Sequence, residues 1–552
     1  MDFYTELEQL MEERSPSKQE LSKLKLDLCS KYGLKKIPTD IEIGTKLGLK
    51  NKSLLSKPMR TIAGVAPVAI MTKPSNCRHG SCIYCPGGLN SLFGDIPKSY
   101  TGKEPATRRA IRNDFDAYLQ TFNRLEQYIL LGHSPEKVEL IIMSGTFPSM
   151  VEDYQKEFLT DAFQAMNTFS DLFYEKNEFN HERFRQFFEV PALQFSEERD
   201  ERVKRKILET KRNSTLKLEH KKNENARIRC ISLVIETKPD FATLEIANRL
   251  LEWGCTKIEL GIQTVYEEVL EFINRGHTLS ESIAATRILK DLGFKIAYHV
   301  MPGLPGVTKE RDIVALREYI KNEDFRPDMF KIYPCLVLRG TKLYDLWKEG
   351  NFKPISTEDA AEIICEFKKI CPEWVRIMRV QRDIPTFMTE DGVNRTNLRQ
   401  YVERLATEKG IVCNCIRCRE PKKDRVFGEI EFRTTEYNAS GGKEFFISCC
   451  EQTSDTLLGF CRLRIPSQFL RKEITNSSVL IRELRVYGKS TEIGEKGNIQ
   501  HQGIGKKLLF IAEEIAKQKS KEKVVVIAGI GVREYFKKVG YIQEGPYMVK
   551  QL

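Results

Sequence analysis

The 552-residue chain is too long for one ordinary hydrophobic core, so we expect about two to four domains. Apolar residues make up 41% and charged residues 30%, which excludes a disordered chain, and every apolar stretch is too short to span a bilayer. The N-terminus is polar rather than a signal peptide, the 15 cysteines are odd in number, and the formal net charge is +11. We therefore expect a cytoplasmic protein whose cysteines bind metals rather than form disulfides, with a polyanionic partner.

Residues 1–72 have a helical, basic pattern and end in a short apolar strand. Between Arg14 and Arg60 there are 12 Lys or Arg against 4 Asp or Glu. Such an arm favours binding to a polyanion such as RNA, although a solvated surface is an equal alternative for a charge run taken alone. The candidate RNA contacts in the arm are Lys35, Lys36, Lys50 and Lys52.

Residues 73–400 alternate short apolar strands with amphipathic helices. The strand-like segments are 138–145, 229–237, 257–263, 294–301, 329–334 and 375–380. Repeated βα units predict a parallel sheet, open or closed into a barrel, whose ligands bind at the carboxyl ends of the strands. The charged insertion at 197–229 predicts an exposed helix or a disordered loop.

The segment KPSNCRHGSCIYCPGG contains three cysteines at the spacing C-x₄-C-x₂-C, namely Cys77, Cys82 and Cys85. Thiolates are the usual ligands of iron–sulfur clusters, and three thiolates leave one iron of a four-iron cluster without a protein ligand. An open iron can chelate S-adenosylmethionine (SAM), so the motif predicts a radical SAM enzyme with these cysteines at its catalytic centre. The alternative is a structural zinc site with His79 as the fourth ligand.

Polar residues follow three successive strands downstream of these cysteines. The first strand ends in a short Gly-containing segment that resembles the amino-group site of radical SAM enzymes. The next two strands end in groups suited to ribose and carboxylate contacts, among them Glu259. The candidate SAM-binding residues are Ser144, Gly145, Thr146, Glu236, Lys238 and Gln263.

A second cysteine cluster lies in residues 401–425, a segment that resembles a bridge between domains. It consists of Cys413, Cys415 and Cys418, spaced C-x-C-x-x-C. We expect a closed zinc site that joins two domains, and a second iron–sulfur cluster is the alternative. The fourth ligand stays open among Cys371, Cys449, Cys450 and a histidine.

Residues 426–552 begin a new αβ pattern. The segment QHQGIGK precedes an amphipathic helix and resembles the pyrophosphate loop of the GNAT acetyltransferases, in which glycines expose backbone N–H groups to phosphate and the helix dipole favours the anion. The candidate contacts with coenzyme A (CoA) in this segment are Gln502, Gly503, Ile504, Gly505 and Lys506.

Acetyltransferases often place a tyrosine four residues before the last glycine of this domain, where it protonates the leaving thiolate. Phe536 occupies that position before Gly540, and Tyr535 beside it is expected to point elsewhere. The missing hydroxyl argues against ordinary amine acetylation. Both residues stay candidates for contact with the cofactor.

From about residue 58 to its end, the sequence resembles the catalytic subunits of Elongator, in their archaeal form. The shared stretches are CIYCPGG, SYTGKEPATRRAIR, ETKPD, NRGHT, MPGLPG, RGTKLYDLWKEG, RVQRDIP, ELRVYG, QHQGIG and GPYMVK. The resemblance implies an α/β chain with a parallel (β/α) radical SAM partial barrel, a GNAT-like α/β domain and a basic helical N-terminal arm.

The resemblance also implies an activity, which is carboxymethylation of C5 of the tRNA wobble uridine. The implied cofactors are a 4Fe-4S cluster, SAM, zinc and acetyl-CoA as co-substrate. The implied partners are the tRNA anticodon arm, an electron donor, and a second copy or other Elongator-type subunits, with no membrane. Family segments that contact acetyl-CoA match Lys137, Glu483, Leu484, Arg485, Val486, Ile504, Gly505 and Lys506 here.

Two other functions stay open on the residues alone. A protein lysine acetyltransferase with a structural iron–sulfur cluster would acetylate peptides without SAM. A structural subunit that binds tRNA without turnover would not need its cysteines. Mass spectrometry of tRNA incubated with the reconstituted protein, SAM, reductant and acetyl-CoA separates these possibilities.

Overall fold

The computed structural model describes residues 2–34, 36–47, 64–176, 178–190, 197–421, 428–487 and 503–552. Four residues singled out above lie outside these ranges, namely Gln502, Lys35, Lys50 and Lys52. Lys36 is described, and its exposed ammonium lies 3.7 Å from the Glu42 carboxylate.

The N-terminal arm folds into the helices α1 (Phe3–Arg14), α2 (Lys18–Lys31) and α3 (Asp40–Leu47). Each helix turns an apolar face inward, and Leu7 and Leu21 are buried between them. A capping box begins α2, because the Ser17 hydroxyl accepts from the Glu20 N–H and the Glu20 carboxylate accepts from the Ser17 N–H. The predicted helical arm is confirmed.

The strands that follow the arm are, in chain order, β1 (Ala66–Met71), β2 (Gly88–Ser91), β3 (Gly94–Ile96), β4 (Lys137–Met143), β5 (Tyr174–Glu175), β6 (Glu178–Phe179), β7 (Arg229–Thr237), β8 (Cys255–Gln263), β9 (Lys295–Val300), β10 (Met329–Ile332) and β11 (Arg376–Arg379). In the described residues, seven of them form one sheet in the order β1-β4-β7-β8-β9-β10-β11. Every neighbouring pair in this sheet is parallel. The predicted parallel partial barrel is therefore confirmed.

Helices connect the strands of this sheet, since parallel neighbours require crossover connections. They are α4 (Pro105–Arg112), α5 (Ala117–Leu130), α6 (Glu152–Phe173), α7 (His181–Phe188), α8 (Glu197–Glu209), α9 (Leu216–Asn223), α10 (Leu244–Glu252), α11 (Glu267–Phe272), α12 (Leu279–Asp291), α13 (Lys309–Lys321), α14 (Lys342–Lys348) and α15 (Thr357–Ile370). Two further helices follow the last strand, namely α16 (Leu398–Glu408) and α17 (Ile416–Arg419). Among the helices of the described ranges, none combines the length and apolar character that crossing a membrane requires.

The charged insertion forms α8 and α9 and is not simply exposed. Val203 and Ile207 of α8 and Leu216 of α9 are buried in the main hydrophobic core. The carboxylate of Glu224 just after α9 lies 3.3 Å from Arg533 near the C-terminus. The predicted helix is confirmed, but it is not exposed all round, because a few apolar residues at helical spacing suffice to bury one face of each helix.

The C-terminal residues form a second α/β unit. Its elements are β12 (Ile430–Ala439), β13 (Gly442–Glu451), β14 (Leu457–Ile465), β15 (Ser478–Val486), α18 (Ile504–Gln518), β16 (Lys523–Val526), α19 (Arg533–Lys538), β17 (Ile542–Glu544) and β18 (Tyr547–Gln551). The sheet order is β12-β13-β14-β15-β16-β18-β17. Only β15 and β16 are parallel neighbours in this described sheet, and their pairing ends at Ile481 opposite Val526. Beyond Ile481, the edge of β15 that faces β16 therefore has backbone groups that are not paired with β16.

A buried network of charged side chains joins the two sheets. The first unit contributes two carboxylates and one ammonium, and the second contributes three guanidinium groups and two carboxylates. The members are Lys290, Asp291, Asp328, Glu444, Arg462, Arg464, Arg482 and Glu483. The opposite charges balance only when the units are docked, so the network favours one relative orientation.

Arg482 and Asp328 are the centre of this network, and both side chains are 0% exposed. The Arg482 guanidinium lies 2.5 Å from Asp328 and 3.0 Å from Glu444. Burial alone would raise the pKa of Asp328, but Arg482, Lys290 and Arg462 lower it well below its ordinary value. The carboxylate is thus charged inside the interface and depends on its cationic partners.

Candidate functional site

A cavity of about 170 Å³ opens at the carboxyl ends of the parallel strands. This is the edge at which ligands bind in such folds. Cys77, Cys82 and Cys85 line the cavity together with residues from the ends of β4, β7 and β8. Of the predicted SAM-binding residues, those on its wall are Ser144, Gly145, Glu236 and Gln263.

The three cysteine sulfurs face one another across a gap wider than a zinc ion needs. Cys413, Cys415 and Cys418 have sulfurs within 4.8 Å of one another, whereas Cys77, Cys82 and Cys85 do not meet that limit. Ligands of one tetrahedral zinc, each ~2.3 Å from the metal, lie ~4 Å apart. The wider first set fits a multi-iron cluster, and the zinc alternative for that set is disfavoured.

Cations surround the first cysteine loop and suit bound thiolates. Burial raises the pKa of the Cys77 thiol, while Lys98, Lys238 and Arg275 act to lower it. The Arg275 guanidinium lies 3.7 Å from the Cys82 sulfur, and the Ser99 N–H donates to the Cys85 sulfur at 3.2 Å. These charges and donors stabilise thiolates once a metal displaces their protons.

Lys238 supports the cysteine loop instead of lining the cavity. Its ammonium is 3.0 Å from Nδ1 of His79 and 3.2 Å from Asp240, and its side chain is 1% exposed. The other ring nitrogen of His79 is 3.5 Å from the Cys82 sulfur. Gly276, at φ +70°, leaves the space that the His79 ring occupies. Lys238 therefore orients His79, and its contact with SAM stays a prediction.

At the end of β4, Gly145 lines the cavity and Thr146 does not. A side chain at Gly145 would clash with Lys98, because a Cβ there would lie 2.5 Å from the Cβ of Lys98. Thr146 is buried, and its hydroxyl donates to the Gly145 carbonyl rather than facing the cavity. Gln263, at the end of β8, has φ +72°, a strained value for a non-glycine residue that often marks a functional site.

A ladder of alternating charges crosses the inside of the partial barrel. Lys257 lies 2.8 Å from Glu139 and 3.6 Å from Glu259. Lys331 contacts Glu259 closely and lies 3.4 Å from Glu236, which accepts from the Tyr100 hydroxyl at the cavity wall. Burial alone would raise the pKa of Glu259, but Lys331, His299 and Lys257 lower it. The ladder reaches from the amino ends of the strands to the cavity.

Several cavity residues escape sequence reasoning. Four of them lie in the shared stretches quoted above, namely Tyr100 in SYTGKEP, Arg275 in NRGHT, and Arg379 and Arg382 in RVQRDIP, whereas His299 and Lys331 lie outside those stretches. The sequence did contain a signal for Lys331 and His299, because each is a polar residue within an otherwise apolar strand. The two residues are register partners on β10 and β9. A charged residue inside an apolar strand pattern has to face a polar interior or a partner.

Lys137 lies at the opposite end of the barrel from the cysteines. It begins β4, opposite Arg229 at the start of β7, and burial and Arg229 lower its pKa. Gly529 and Gly531 of the second unit pack against the first residues of β7, where a Cβ would clash with the backbone of Ile231. Lys137 is therefore beside the interface with the second unit.

The start of α18 has the features of a phosphate-binding turn. Gly503 precedes the helix at φ +87°, a conformation that favours glycine, and no side chain of the described residues caps the first N–H groups. Gly505 faces Val486 at the free end of β15. Leu484, Val486 and Ile504 also pack on the core of this sheet, while Lys506 is exposed.

Tyr535 lies beside the start of α18, whereas Phe536 lies in the core of the second sheet. A Cβ on Gly505 would lie 3.3 Å from the Tyr535 hydroxyl, so this hydroxyl faces the start of α18. Burial raises the pKa of Tyr535, which keeps the hydroxyl a proton donor at neutral pH. Phe536 is 5% exposed and packs edge-on against Tyr541 in the core. The expectation that Tyr535 points elsewhere is wrong, since the short α19 turns its other face inward.

The second cysteine cluster has a fourth thiol beside it. Cys371 follows α15 and interacts with two cysteines of the cluster: it raises the pKa of Cys413, and together with Cys413 and Cys418 it lowers the pKa of Cys415. The Lys368 ammonium lies 3.3 Å from the Cys418 sulfur. Two other candidates for the fourth ligand lie elsewhere, since Cys449 packs in the core of the second sheet and Cys450 contacts Arg419.

Comparisons with known proteins agree with this geometry. The Radical SAM superfamily model matches residues 72–319, and the Radical_SAM C-terminal domain model matches residues 327–407. The tRNA uridine(34) acetyltransferase of Methanocaldococcus jannaschii is 45% identical over 510 residues, which cover 90% of this chain and 86% of that relative. Elongator complex protein 3 of Homo sapiens is 37% identical over 567 residues, which cover 99% of this chain and 96% of that relative.

A solved structure matches as well. The archaeal Elp3 of Methanocaldococcus infernus, with an N-terminal deletion, gives a TM-score of 0.72 at 38% identity, covering 89% of this chain and 100% of that chain. The parallel half-barrel, the three-cysteine loop and the superfamily match define a radical SAM protein, a class that uses a 4Fe-4S cluster and SAM. Within that class, the chain belongs to the Elongator complex protein 3 family.

Proposed function

We propose that this protein carboxymethylates C5 of the tRNA wobble uridine, with SAM and acetyl-CoA as co-substrates and a separate electron donor. The supporting observation is the pairing of two sites in one chain. The three-cysteine cavity is at one end of the barrel, whereas Lys137 begins β4 at the other end, beside the second unit that contains the start of α18. The names of the relatives, which refer to uridine 34 of tRNA and to Elongator, agree with this substrate.

In this proposal the side chains bind, orient and exclude water. Cys77, Cys82 and Cys85 would hold the cluster, which would supply the electron for reductive cleavage of SAM. Ser144–Gly145 and Gln263 hold the SAM amino and carboxylate groups. At the other end, the first N–H groups of α18 bind the CoA pyrophosphate.

The acetyl group and the wobble base meet in the cavity. Single-stranded loop bases can be splayed out into such a pocket, and basic residues of the arm bind the anticodon-arm phosphates.

Mass spectrometry of tRNA, after incubation with the reconstituted protein, reductant, SAM and acetyl-CoA, is the test. A carboxymethyl mass on the wobble uridine is the expected result. Peptide acetylation without SAM, and unmodified tRNA, would instead support the lysine acetyltransferase.

The pyrophosphate turn gives a sharp test of the CoA site. Gly503→Glu places a carboxylate where phosphate oxygens approach, so acetyl-CoA binding should weaken by about 2 kcal/mol or more, roughly 30-fold in Kd. Isothermal titration calorimetry measures this loss. SAM cleavage should be unchanged, since the cysteine cavity is at the far end of the barrel.

Gly350→Glu is the matched control for this variant. Gly350 also has a positive φ, +77°, and open space around its Cβ position, so Glu meets the same backbone strain there as at Gly503. Acetyl-CoA should bind the control with wild-type affinity. Wild-type affinity in the Gly503 variant would mean that the pyrophosphate lies elsewhere.

The second cysteine cluster is proposed as a structural zinc site with four thiolate ligands. The donors are Cys371, Cys413, Cys415 and Cys418. The sulfurs of Cys413, Cys415 and Cys418 lie within 4.8 Å of one another, Cys371 interacts with Cys413 and Cys415, and Lys368 offsets the negative charge, which supports a closed tetrahedral site. The site ties α15 to the segment that leads into the second sheet.

Replacing Cys415 or Cys371 by Ser should remove zinc and lower the thermal midpoint of unfolding, because zinc binding contributes directly to folding of such sites. Iron should stay at one cluster per chain. Metal analysis by mass spectrometry measures both elements. Cys365→Ser, which alters another buried thiol of α15, is the control and should keep its zinc. A halved iron content in the Cys415 variant would instead identify an iron–sulfur cluster.

A further inference from the structure

One neutral imidazole lies on the cavity wall without a role in the proposed function so far. His299 is on β9, and its Nε2–H donates to the Glu259 carboxylate on β8 at 3.1 Å. This bond fixes the tautomer, so that Nδ1 carries the lone pair, and Nδ1 has no hydrogen-bond partner among the described residues. Tyr333, just after β10, holds the ring edge-on, with ring centres 5.5 Å apart.

The charged groups around His299 keep the imidazole neutral. Burial and Lys331 on β10 lower its pKa, against the opposing effect of Glu259 and of Glu236 on β7. Arg379 on β11 lines the same cavity. A buried imidazole that donates one N–H to a carboxylate has the arrangement of a general base in hydrolytic enzymes.

Other acids and bases of the described cavity wall have partners of their own. The carboxylate of Glu236 binds Tyr100 and Lys331, that of Glu104 binds Thr101 and Thr107, and that of Asp383 binds Arg379. Glu259 is held as a carboxylate by Lys331, whose own pKa it raises. Tyr333 has a pKa raised by burial and stays protonated. His79 has both ring nitrogens engaged, with Lys238 and the Cys82 thiol. His299 therefore has the available lone pair.

A divalent metal is a poorer explanation of this cluster. One ligand atom each from Glu236, Glu259 and His299 lies within 4.8 Å of the others, which by itself resembles a metal site. The Lys331 ammonium, however, already contacts both carboxylates and balances their charge. A second cation would meet electrostatic repulsion from Lys331.

We propose that His299 is the general base that activates water for hydrolysis of the thioester in this cavity. The inference rests on the proposed function, which leaves the carboxymethyl group joined to CoA until that thioester is cleaved. Nδ1 of His299 accepts a proton from water, and the water oxygen forms a bond with the thioester carbonyl carbon. The C–S bond then breaks, and the CoA thiolate takes the proton from the imidazolium. The products are a carboxylic acid and a free thiol, with no net change in oxidation state.

His299→Gln tests this role in the full reconstituted protein. Glutamine keeps a donor toward Glu259 but supplies no basic nitrogen, so thiol release in the presence of tRNA should fall by at least about 100-fold. Formation of 5′-deoxyadenosine and the calorimetric affinity for acetyl-CoA should stay at wild-type levels. Liquid chromatography with mass spectrometry should detect a wobble nucleoside that still carries CoA through a thioester.

Imidazole rescue and a control variant complete the test. Added imidazole should restore thiol release to His299→Ala, because it fills the vacated space with the missing base. His220→Gln alters a buried histidine of α9, far from the cavity lining, and should release thiol at the wild-type rate. Wild-type thiol release by the Gln variant would overturn the assignment of His299 alone. Failure of the wild-type protein to modify tRNA would instead overturn the proposed function.

Discussion

Replacing Cys82 by Ala is expected to remove most iron from the reconstituted protein and to abolish reductive cleavage of SAM. Cys82 is 7% exposed, faces Cys77 and Cys85 around one cavity, and is 3.7 Å from the Arg275 guanidinium. The variant keeps only two thiolates for the cluster. Water would replace the missing Cys82 ligand poorly at this buried position. Without the cluster no electron reaches SAM, so the loss of cleavage should be complete rather than partial.

Iron and sulfide analysis and the yield of 5′-deoxyadenosine measure this effect. Cys335→Ala is a matched control, because Cys335 is a buried thiol of the same apolar cluster as Cys82 but does not line the cavity. The control should keep its iron and its cleavage activity. Acetyl-CoA should bind both variants, since Gly503 and Lys137 are remote from the cysteines. Full SAM cleavage by the Cys82 variant would exclude this residue as a ligand.

Arg482→Met should destabilise the protein by about 3–5 kcal/mol, the usual effect of removing one partner from a buried ion pair. The variant leaves Asp328 and Glu444 at 0% exposure with fewer cations beside them. Because Arg482 also donates to the Phe294 carbonyl at 2.7 Å, the first unit loses a backbone contact as well. The two units should therefore separate more easily, and limited proteolysis should cut between them sooner.

Urea unfolding followed by circular dichroism, with and without the metal cofactors, gives the free-energy difference. Arg433→Met is the control, because Arg433 is on the same sheet but its side chain is 40% exposed. An exposed pair of this kind contributes about 0–1 kcal/mol, so the control should stay near the wild type. Equal stability of the Arg482 and Arg433 variants would show that the interface does not depend on the buried charges.

Local pattern was enough to predict the half-barrel, the N-terminal helices and both cysteine clusters. The strand 229–237 is predicted with the bounds that the structure gives to β7, because nine consecutive residues alternate or run apolar between clear turn signals. The spacing of Cys77, Cys82 and Cys85 is a property of a single loop, so the sequence displays it directly. The glycine turn before α18 is local for the same reason.

Contacts between residues distant in the chain needed the tertiary structure. Lys238 turned out to support His79, 159 positions away, and Cys371 turned out to face Cys413 across the end of α15. Such pairs leave no periodic signal, since hydrophobic spacing reports which face of an element is buried and not which side chain it meets.

The sequence by itself determined the class of protein, because strand periodicity and short cysteine and glycine motifs are local. Such patterns can be recognised without knowing how the two units are arranged. Only the tertiary structure decided which residues distant in the sequence contact one another. The ladder from Glu139 to Glu236, the buried pair Arg482–Asp328 and the dyad His299–Glu259 join residues of different strands or of different units. The physical reason is that a buried charge is stable only beside its partner, and folding alone brings those partners together.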